Sequence, residues 1–283
     1  MLPHSIIQSQ VRQALAEDIG SGDLTAALIP ENKQSTAHLI CRESAILCGT
    51  QWFNEVFQQL STANASTHID WHVKDGDSIV AEQCICTLSG NARLLLTGER
   101  TAMNFLQTLS GTATVTASYV KQLQNSPIKL LDTRKTIPGL RAAQKYAVTC
   151  GGGNNHRHGL FDGILIKENH IMAAGSIGQA IHAARENSPH TLKIEVEIET
   201  LEEIEEALQA KADILLLDNM NNTLLQQAVA LNHQHAHSAK LEVSGNITHE
   251  RLNELAQIGI DYISTGAITK HLRAIDFSLR FEK

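Results

Sequence analysis

The sequence predicts an α/β protein in two parts, a mixed α+β N-terminal part followed by a barrel of repeated βα units. Three observations predict it. Before about residue 110 helical stripes and alternating segments are interleaved without a fixed repeat. Beyond it short apolar runs, KLLDT, FDGILIK, KIEVEI, ADILLLD, KLEVSG and DYISTG, return at the roughly 20 to 35-residue spacing of parallel strands with right-handed crossovers. Nearly every run ends in residues able to hold a ligand. At 283 residues, 42% hydrophobic and 19% charged, the chain is long enough for two domains.

The first part opens on Ile7, Val11, Ala14 and Leu15, a helical stripe ended by Gly20, and repeats the pattern at Trp52, Phe53, Val56, Phe57 and Leu60. STAHLICRES, THIDWHVK and SIVAEQCICTL read as strands, with Asp75-Gly76-Asp77 as a turn between two of them. NARLLLTGERTAMNFLQTL reads as a helix broken at Ser110-Gly111, with a second helix to Gln124. That break sets the expected domains: 1–110, then a barrel over 111–270. In AIDFSLRFE, Ile275, Phe277, Leu279 and Phe281 alternate with polar residues, and no helix follows. Residues 271–283 are therefore expected to return as a strand to the sheet of the first domain. Between the barrel strands helices carry caps, such as the box from Thr200 to Glu203.

Composition excludes several classes. The cysteines, Cys41, Cys48, Cys84, Cys86 and Cys150, are odd in number and lack zinc-site spacing, so they read as small buried residues of a protein in the reducing cytoplasm. No apolar run approaches the roughly 18 residues of a membrane span, and the first 25 residues lack a signal peptide's apolar core. A formal net charge of -7 and a pI of about 6.0 argue against nucleic acid as the main partner. Any anion must then meet a local basic site, and CGGGNNHRH, residues 150–158, is the conspicuous one.

In a parallel barrel, chemistry gathers at the C-terminal ends of the strands. The polar residues there are of three kinds. Basic residues come first: across 133–170, Arg134, Lys135, Arg141, Lys145, Arg157 and Lys167 stand against Asp162 and Glu168, a local excess of four. Arg141 and Lys145, four apart on a helix, read as a solvated face. Arg134, Lys135 and Lys167 directly follow apolar strands, next to Thr133 in the first case, and should point into the mouth. His156 and Arg157 follow glycines that let backbone approach a ligand closely. Acidic residues come second: Glu195, Glu197 and Glu199 share a strand face by period 2, and Asp218 ends the next strand. Glu197 and Asp218 are the candidate ligands for Mg²⁺, or acceptors for sugar hydroxyls. Small residues come third: Ser244-Gly245-Asn246 and Thr265-Gly266-Ala267 each lead from a strand into a helix, where free N–H groups favour a phosphate. Such a site fits a phosphorylated sugar with a polyphosphate, together with a second substrate carrying carboxylates.

These motifs resemble the quinolinate phosphoribosyltransferase family. The likeness runs through EDIGSGDLT, GERTAMNFLQTLSG, LLDTRKTIPGLR, GGGNNHRHGL, LIKENH, EVEIE, LLLDNM, EVSGN and STGA, nearly the whole chain. Asn246 stands where many relatives have a second glycine, and Asn tolerates the same left-handed turn. The HQHAH run at 233–237 is outside the pattern and reads as an exposed helix end. The resemblance implies conversion of quinolinate and 5-phosphoribosyl 1-pyrophosphate (PRPP) to nicotinate mononucleotide, pyrophosphate and CO₂ in NAD biosynthesis, with Mg²⁺. It implies an N-terminal open α+β sandwich, an incomplete seven-stranded barrel, and a homodimer in which Arg100 reaches the partner's barrel mouth. By itself Arg100 reads as a snorkelling residue beside Leu96 and Met103. The alternatives are a PRPP-dependent transferase for another aromatic acid, and a non-catalytic sugar-phosphate-binding barrel. The latter would not need Glu197 and Asp218 beside Lys135 and Lys167.

Overall fold

A computed structural model describes residues 2–282. Met1 and Lys283, the outer ends of the expected segments 1–110 and 271–283, lie outside them. In chain order the first elements are α1 (His4–Ile19), β1 (Gln34–Cys41), β2 (Ala45–Ile46), α2 (Thr50–Leu60), β3 (Thr67–Trp71), β4 (Ser78–Ile79), β5 (Cys84–Asn91) and α3 (Ala92–Gln122). They are followed by β6 (Lys129–Leu131), α4 (Arg141–Cys150), β7 (Ile164–Ile166), α5 (Glu168–Ala174), α6 (Ile177–Asn187) and β8 (Ile194–Ile198). The last are α7 (Leu201–Gln209), β9 (Ile214–Asp218), α8 (Asn222–Gln234), β10 (Lys240–Ser244), α9 (His249–Leu255), β11 (Tyr262–Ser264), α10 (Ala267–Lys270) and β12 (Phe277–Phe281). Among the described residues no helix is long and apolar enough to cross a membrane.

The chain divides into two compact units, 1–117 with 136–152 and 268–283, and 118–135 with 153–267. The helix break expected at Ser110-Gly111 is absent, since α3 runs unbroken through it and ends at Gln122. Gly111 serves close packing there. A Cβ on it would stand 2.4 Å from the carbonyl oxygen of Arg273, so the missing side chain admits a backbone and leaves the helix intact.

The first unit is built on an antiparallel sheet of order β12-β1-β5-β3. Among the described residues of the terminal segment, 277–281 are strand, and their alternation sets Phe277, Leu279 and Phe281 opposite Cys41, Leu39 and Ala37. The helical stripes do what their spacing implies: Ile7, Val11 and Leu15 of α1 meet Trp52, Phe53, Val56 and Phe57 of α2 in one buried cluster. Helix α4 belongs to this unit, with Ala143 and Ala147 in the same cluster. That corrects the reading of Arg141 and Lys145 as a solvated face. Lys145 is completely buried, since the helix turns that side toward protein, and Arg141 is half-buried.

The second unit carries six parallel strands in the order β6-β11-β10-β9-β8-β7. The seventh barrel position is not a strand of its own. Asn154 makes a single parallel bridge with Leu131, its amide donating to the Leu130 carbonyl and its carbonyl accepting from Asp132. One bridged residue has no periodicity, which hides it in the sequence. The α7 capping box forms as read, with the Thr200 hydroxyl on the Glu203 amide and the Glu203 carboxylate returning to Thr200. In the HQHAH run, His233 and His237 are exposed with ring centroids 3.7 Å apart, while His235 is half-buried against Glu205 at 3.1 Å.

Candidate active site

A cleft of about 440 Å³ opens at the C-terminal ends of the barrel strands. Thr133, Arg134, Lys135, His156, Arg157, Lys167, Glu197, Asp218 and Ser244 all line it, so nine residues singled out in the sequence converge. The cations come from β6, β7 and the segment after Asn154, at the two ends of the sheet. The acids Glu197 and Asp218 come from the neighbouring inner strands β8 and β9. Gly245, Asn246, Thr265, Gly266 and Ala267 do not line the cleft, although they follow β10 and β11 directly. Arg100 is exposed on α3, within the first unit.

Local chemistry fixes each group. The Thr133 hydroxyl accepts from the Lys135 amide at 3.0 Å, turning the chain at the end of β6. Gly266 has no side chain, and a Cβ there would stand 3.1 Å from Lys135 Cδ, so the lysine stem lies across this loop. Lys167, the single residue between β7 and α5, forms an ion pair with Glu197. Asp218 Oδ2 accepts from the Asn219 side chain at 2.7 Å. Asn219 in turn explains Gly245, where a Cβ would fall 2.1 Å from Asn219 Oδ1. Gly245 and Asn246 both take left-handed backbone, φ 85° and 48°, so asparagine does hold the turn expected of a second glycine.

The three glutamates of the period-2 series part company. Glu199 lies beyond the end of β8, is exposed, and donates its amide to Glu203, so the capping box removes it from the strand face. Glu197 reaches the cleft. Glu195, two residues deeper, is 4% exposed and accepts from His156 Nε2 at 2.9 Å. His156 Nδ1 accepts the Arg157 amide at 2.7 Å, which places the ring proton on Nε2. Both ring nitrogens are thus engaged by protein, and His156 lines the cleft as part of its wall. Arg157 Nη1 donates to the Gly163 carbonyl at 3.1 Å. Burial, followed by the charge of Arg134, lowers the Arg157 pKa, against the pull of Glu195 and Asp162.

Two residues of the site escaped the sequence reading. Asp132 is fully buried and accepts from the His156 amide at 2.9 Å and the Asn155 side chain at 2.6 Å, holding the loop that presents Arg157. Glu242, 1% exposed on β10, lies 3.7 Å from His156 Nε2. Period 2 placed it on the face of Ser244, a signal that an isolated glutamate in KLEVS does not make conspicuous.

Burial, and then the neighbouring Glu195 charge, raise the Glu242 pKa to about 7, against the pull of His156 and Ser264. Because the folded chain holds this proton more tightly than the unfolded one, the contribution of Glu242 to stability is present below its unfolded pKa and is lost as pH rises through about 7. Glu242→Gln should therefore flatten that decline. Urea midpoints measured across this range should fall with pH in the wild type and fall less in the variant; parallel declines would mean that Glu242 does not carry the effect.

Comparison with known proteins now bears on this geometry. Residues 23–110 match the quinolinate phosphoribosyl transferase N-terminal domain, and residues 112–280 its C-terminal domain. The chain belongs to the quinolinate phosphoribosyl transferase family. A Bacillus subtilis (strain 168) relative, named a probable nicotinate-nucleotide pyrophosphorylase (carboxylating), is 41% identical over 276 residues, covering 98% of this chain and 93% of that one. A Synechocystis relative with the same name is 38% identical over 278 residues, again 98% and 93%. The solved nicotinate-nucleotide pyrophosphorylase of Francisella tularensis superimposes with a TM-score of 0.94 at 48% identity, covering 100% of this chain and 98% of that one. Within the quinolinate phosphoribosyl transferase family the cleft is thus carried by the part of the chain that matches the C-terminal domain.

Proposed function

We propose that the barrel cleft transfers the phosphoribosyl group of PRPP to the ring nitrogen of quinolinate, releasing pyrophosphate and CO₂ and forming nicotinate mononucleotide. The observation that carries this reading is one cleft with Arg134, Lys135, Arg157 and Lys167 gathered against Glu197 and Asp218, in a chain of this family. A dianionic acid and a polyphosphate need such a cationic wall, and ribose hydroxyls need acceptors.

Arg134 and Arg157 hold the two quinolinate carboxylates, guanidinium geometry suiting bidentate contact, with the His156 ring as the adjoining wall. Lys135 and Lys167 meet pyrophosphate or carboxylate oxygens as point charges, Lys167 exchanging its Glu197 partner for substrate. Glu197 and Asp218 accept from the ribose hydroxyls. Oxygen donors on adjacent strand ends also suit a Mg²⁺ ion that keeps several waters. Bound there, Mg²⁺ supplies neutralisation of pyrophosphate charge. The loop 244–246, with Ser244 on the cleft wall, offers backbone N–H groups to the 5'-phosphate, whereas in 265–267 the Thr265 amide already donates to the Leu131 carbonyl and the Ala267 amide to Thr265 Oγ1.

The anomeric carbon loses pyrophosphate through an oxocarbenium-like state as the pyridine nitrogen attacks, and the protein contributes positioning and electrostatic stabilisation. The ring nitrogen becomes cationic. The C2–carboxylate bond then breaks, CO₂ leaves, and the electron pair remaining on C2 takes a proton. A direct test is pyrophosphate release, which should require quinolinate, PRPP and Mg²⁺ together; release from PRPP without quinolinate, at the same rate, would contradict the assignment.

A shared site in a homodimer follows from the same reading, with Arg100 of the partner subunit completing the carboxylate pocket. Arg100→Ala and Lys167→Ala should each be nearly inactive alone, because every site lacks one residue. Co-refolding makes about half the dimers mixed, each with one intact site, so about a quarter of wild-type activity should return. Mixed dimers confirmed by mass but without recovery would mean that Arg100 serves its own chain.

A further inference from the structure

Within the first unit, outside the cleft, two of the cysteines stand together. Cys48 follows β2 and is fully buried, whereas Cys150 closes α4 and is partly exposed. The two sulfurs and an Asp75 carboxylate oxygen lie within 4.8 Å of one another. The remaining cysteines are disposed differently: Cys41 donates to the Glu43 carbonyl at 2.8 Å and Cys84 to the Cys86 carbonyl at 3.6 Å.

The pair is asymmetric. The neighbouring Cys48 thiol holds the Cys150 pKa below the ordinary thiol range, against partial burial and the Asp75 charge. Burial pushes the Cys48 thiol up. An accessible, acidified thiol beside a buried one is the arrangement of an attacking and a resolving cysteine. A metal would need the third group, and Asp75 is committed. Its Oδ1 accepts from the amides of Gly49 and Thr50, each at 3.1 Å, and its Oδ2 from the Tyr146 hydroxyl at 2.8 Å.

We propose that Cys48 and Cys150 form a dithiol redox site that a peroxide closes to a reversible disulfide. The Cys150 thiolate attacks one peroxide oxygen, the O–O bond breaks, and hydroxide leaves as water with a proton from the medium, giving a sulfenic acid. The Cys48 sulfur then attacks the Cys150 sulfur, the S–O bond breaks, and water leaves with the Cys48 proton. Two thiols are oxidised and one peroxide is reduced to two waters. A small dithiol reverses the step by exchange.

The test uses reduced, folded enzyme exposed to hydrogen peroxide, then alkylated and mapped by mass. Two of the five thiols should disappear, in a Cys48–Cys150 cross-linked peptide that dithiothreitol releases. Cys48→Ser should leave Cys150 as a sulfenic acid that dimedone traps, and Cys150→Ser should leave Cys48 reduced. Mapping of the wild type needs neither variant, so the outcome stands if one fails to fold. Loss of Cys84 while Cys48 and Cys150 stay reduced would overturn the proposal. Protection of both thiols by one equivalent of Zn²⁺ would overturn it too, by making the cluster a metal site.

Discussion

Replacing Arg157 with alanine is expected to weaken quinolinate binding by roughly 2 to 4 kcal/mol, the cost of a buried charge pair losing one partner. That is about 30- to 900-fold in Kd. The guanidinium is half-buried, tied to the Gly163 carbonyl, and crowded by Arg134. Its own burial and the like charge beside it both disfavour the cation, so a bound carboxylate relieves an existing penalty. With PRPP held by Lys135, Lys167, Glu197 and Asp218, as proposed above, its affinity should fall much less. Calorimetric titration of the two ligands separately checks this: equal losses, or none, would remove Arg157 from the dicarboxylate pocket.

The second large effect belongs to the acids. Glu197→Ala or Asp218→Ala should lower kcat on the order of 10²-fold or more, because on the proposed reading the transition state loses a fixed anchor for ribose and hydrated Mg²⁺. The fold should survive, since Glu197 and Asp218 lie at strand ends with partial exposure. Glu197→Ala also releases Lys167 from its ion pair, so quinolinate affinity should hold or improve while turnover falls. That split between kcat and KM is measured by steady-state kinetics at saturating Mg²⁺. Unchanged turnover in both variants would place the anchoring groups elsewhere.

What was legible in the sequence is what repeats. Apolar runs separated by helices gave the parallel strands, and the polar residues at or near the end of each run gave Lys135, Lys167, Glu197 and Asp218, because strand direction alone sends those ends to one mouth. Features without a period were hidden. Asn154 joins the sheet through one bridge. Gly111 looked like a helix break because glycine usually weakens helices, while here it admits the Arg273 backbone. Lys145 carried the prior that lysine is exposed, and burial in the first unit reverses it. Glu242, which lines the cleft, and the fully buried Asp132 stand out only through their proximity to His156, the period-2 placement of Glu242 being inconspicuous.

The most direct measurement of the central claim is the fate of the quinolinate 2-carboxyl group. Quinolinate labelled at that carbon, incubated with PRPP and Mg²⁺, should release label as CO₂ in step with nicotinate mononucleotide formation, one for one, while nicotinate in its place should give no nucleotide at a comparable rate. Nucleotide formed from nicotinate as readily as from quinolinate, or quinolinate consumed without labelled CO₂, would contradict the account.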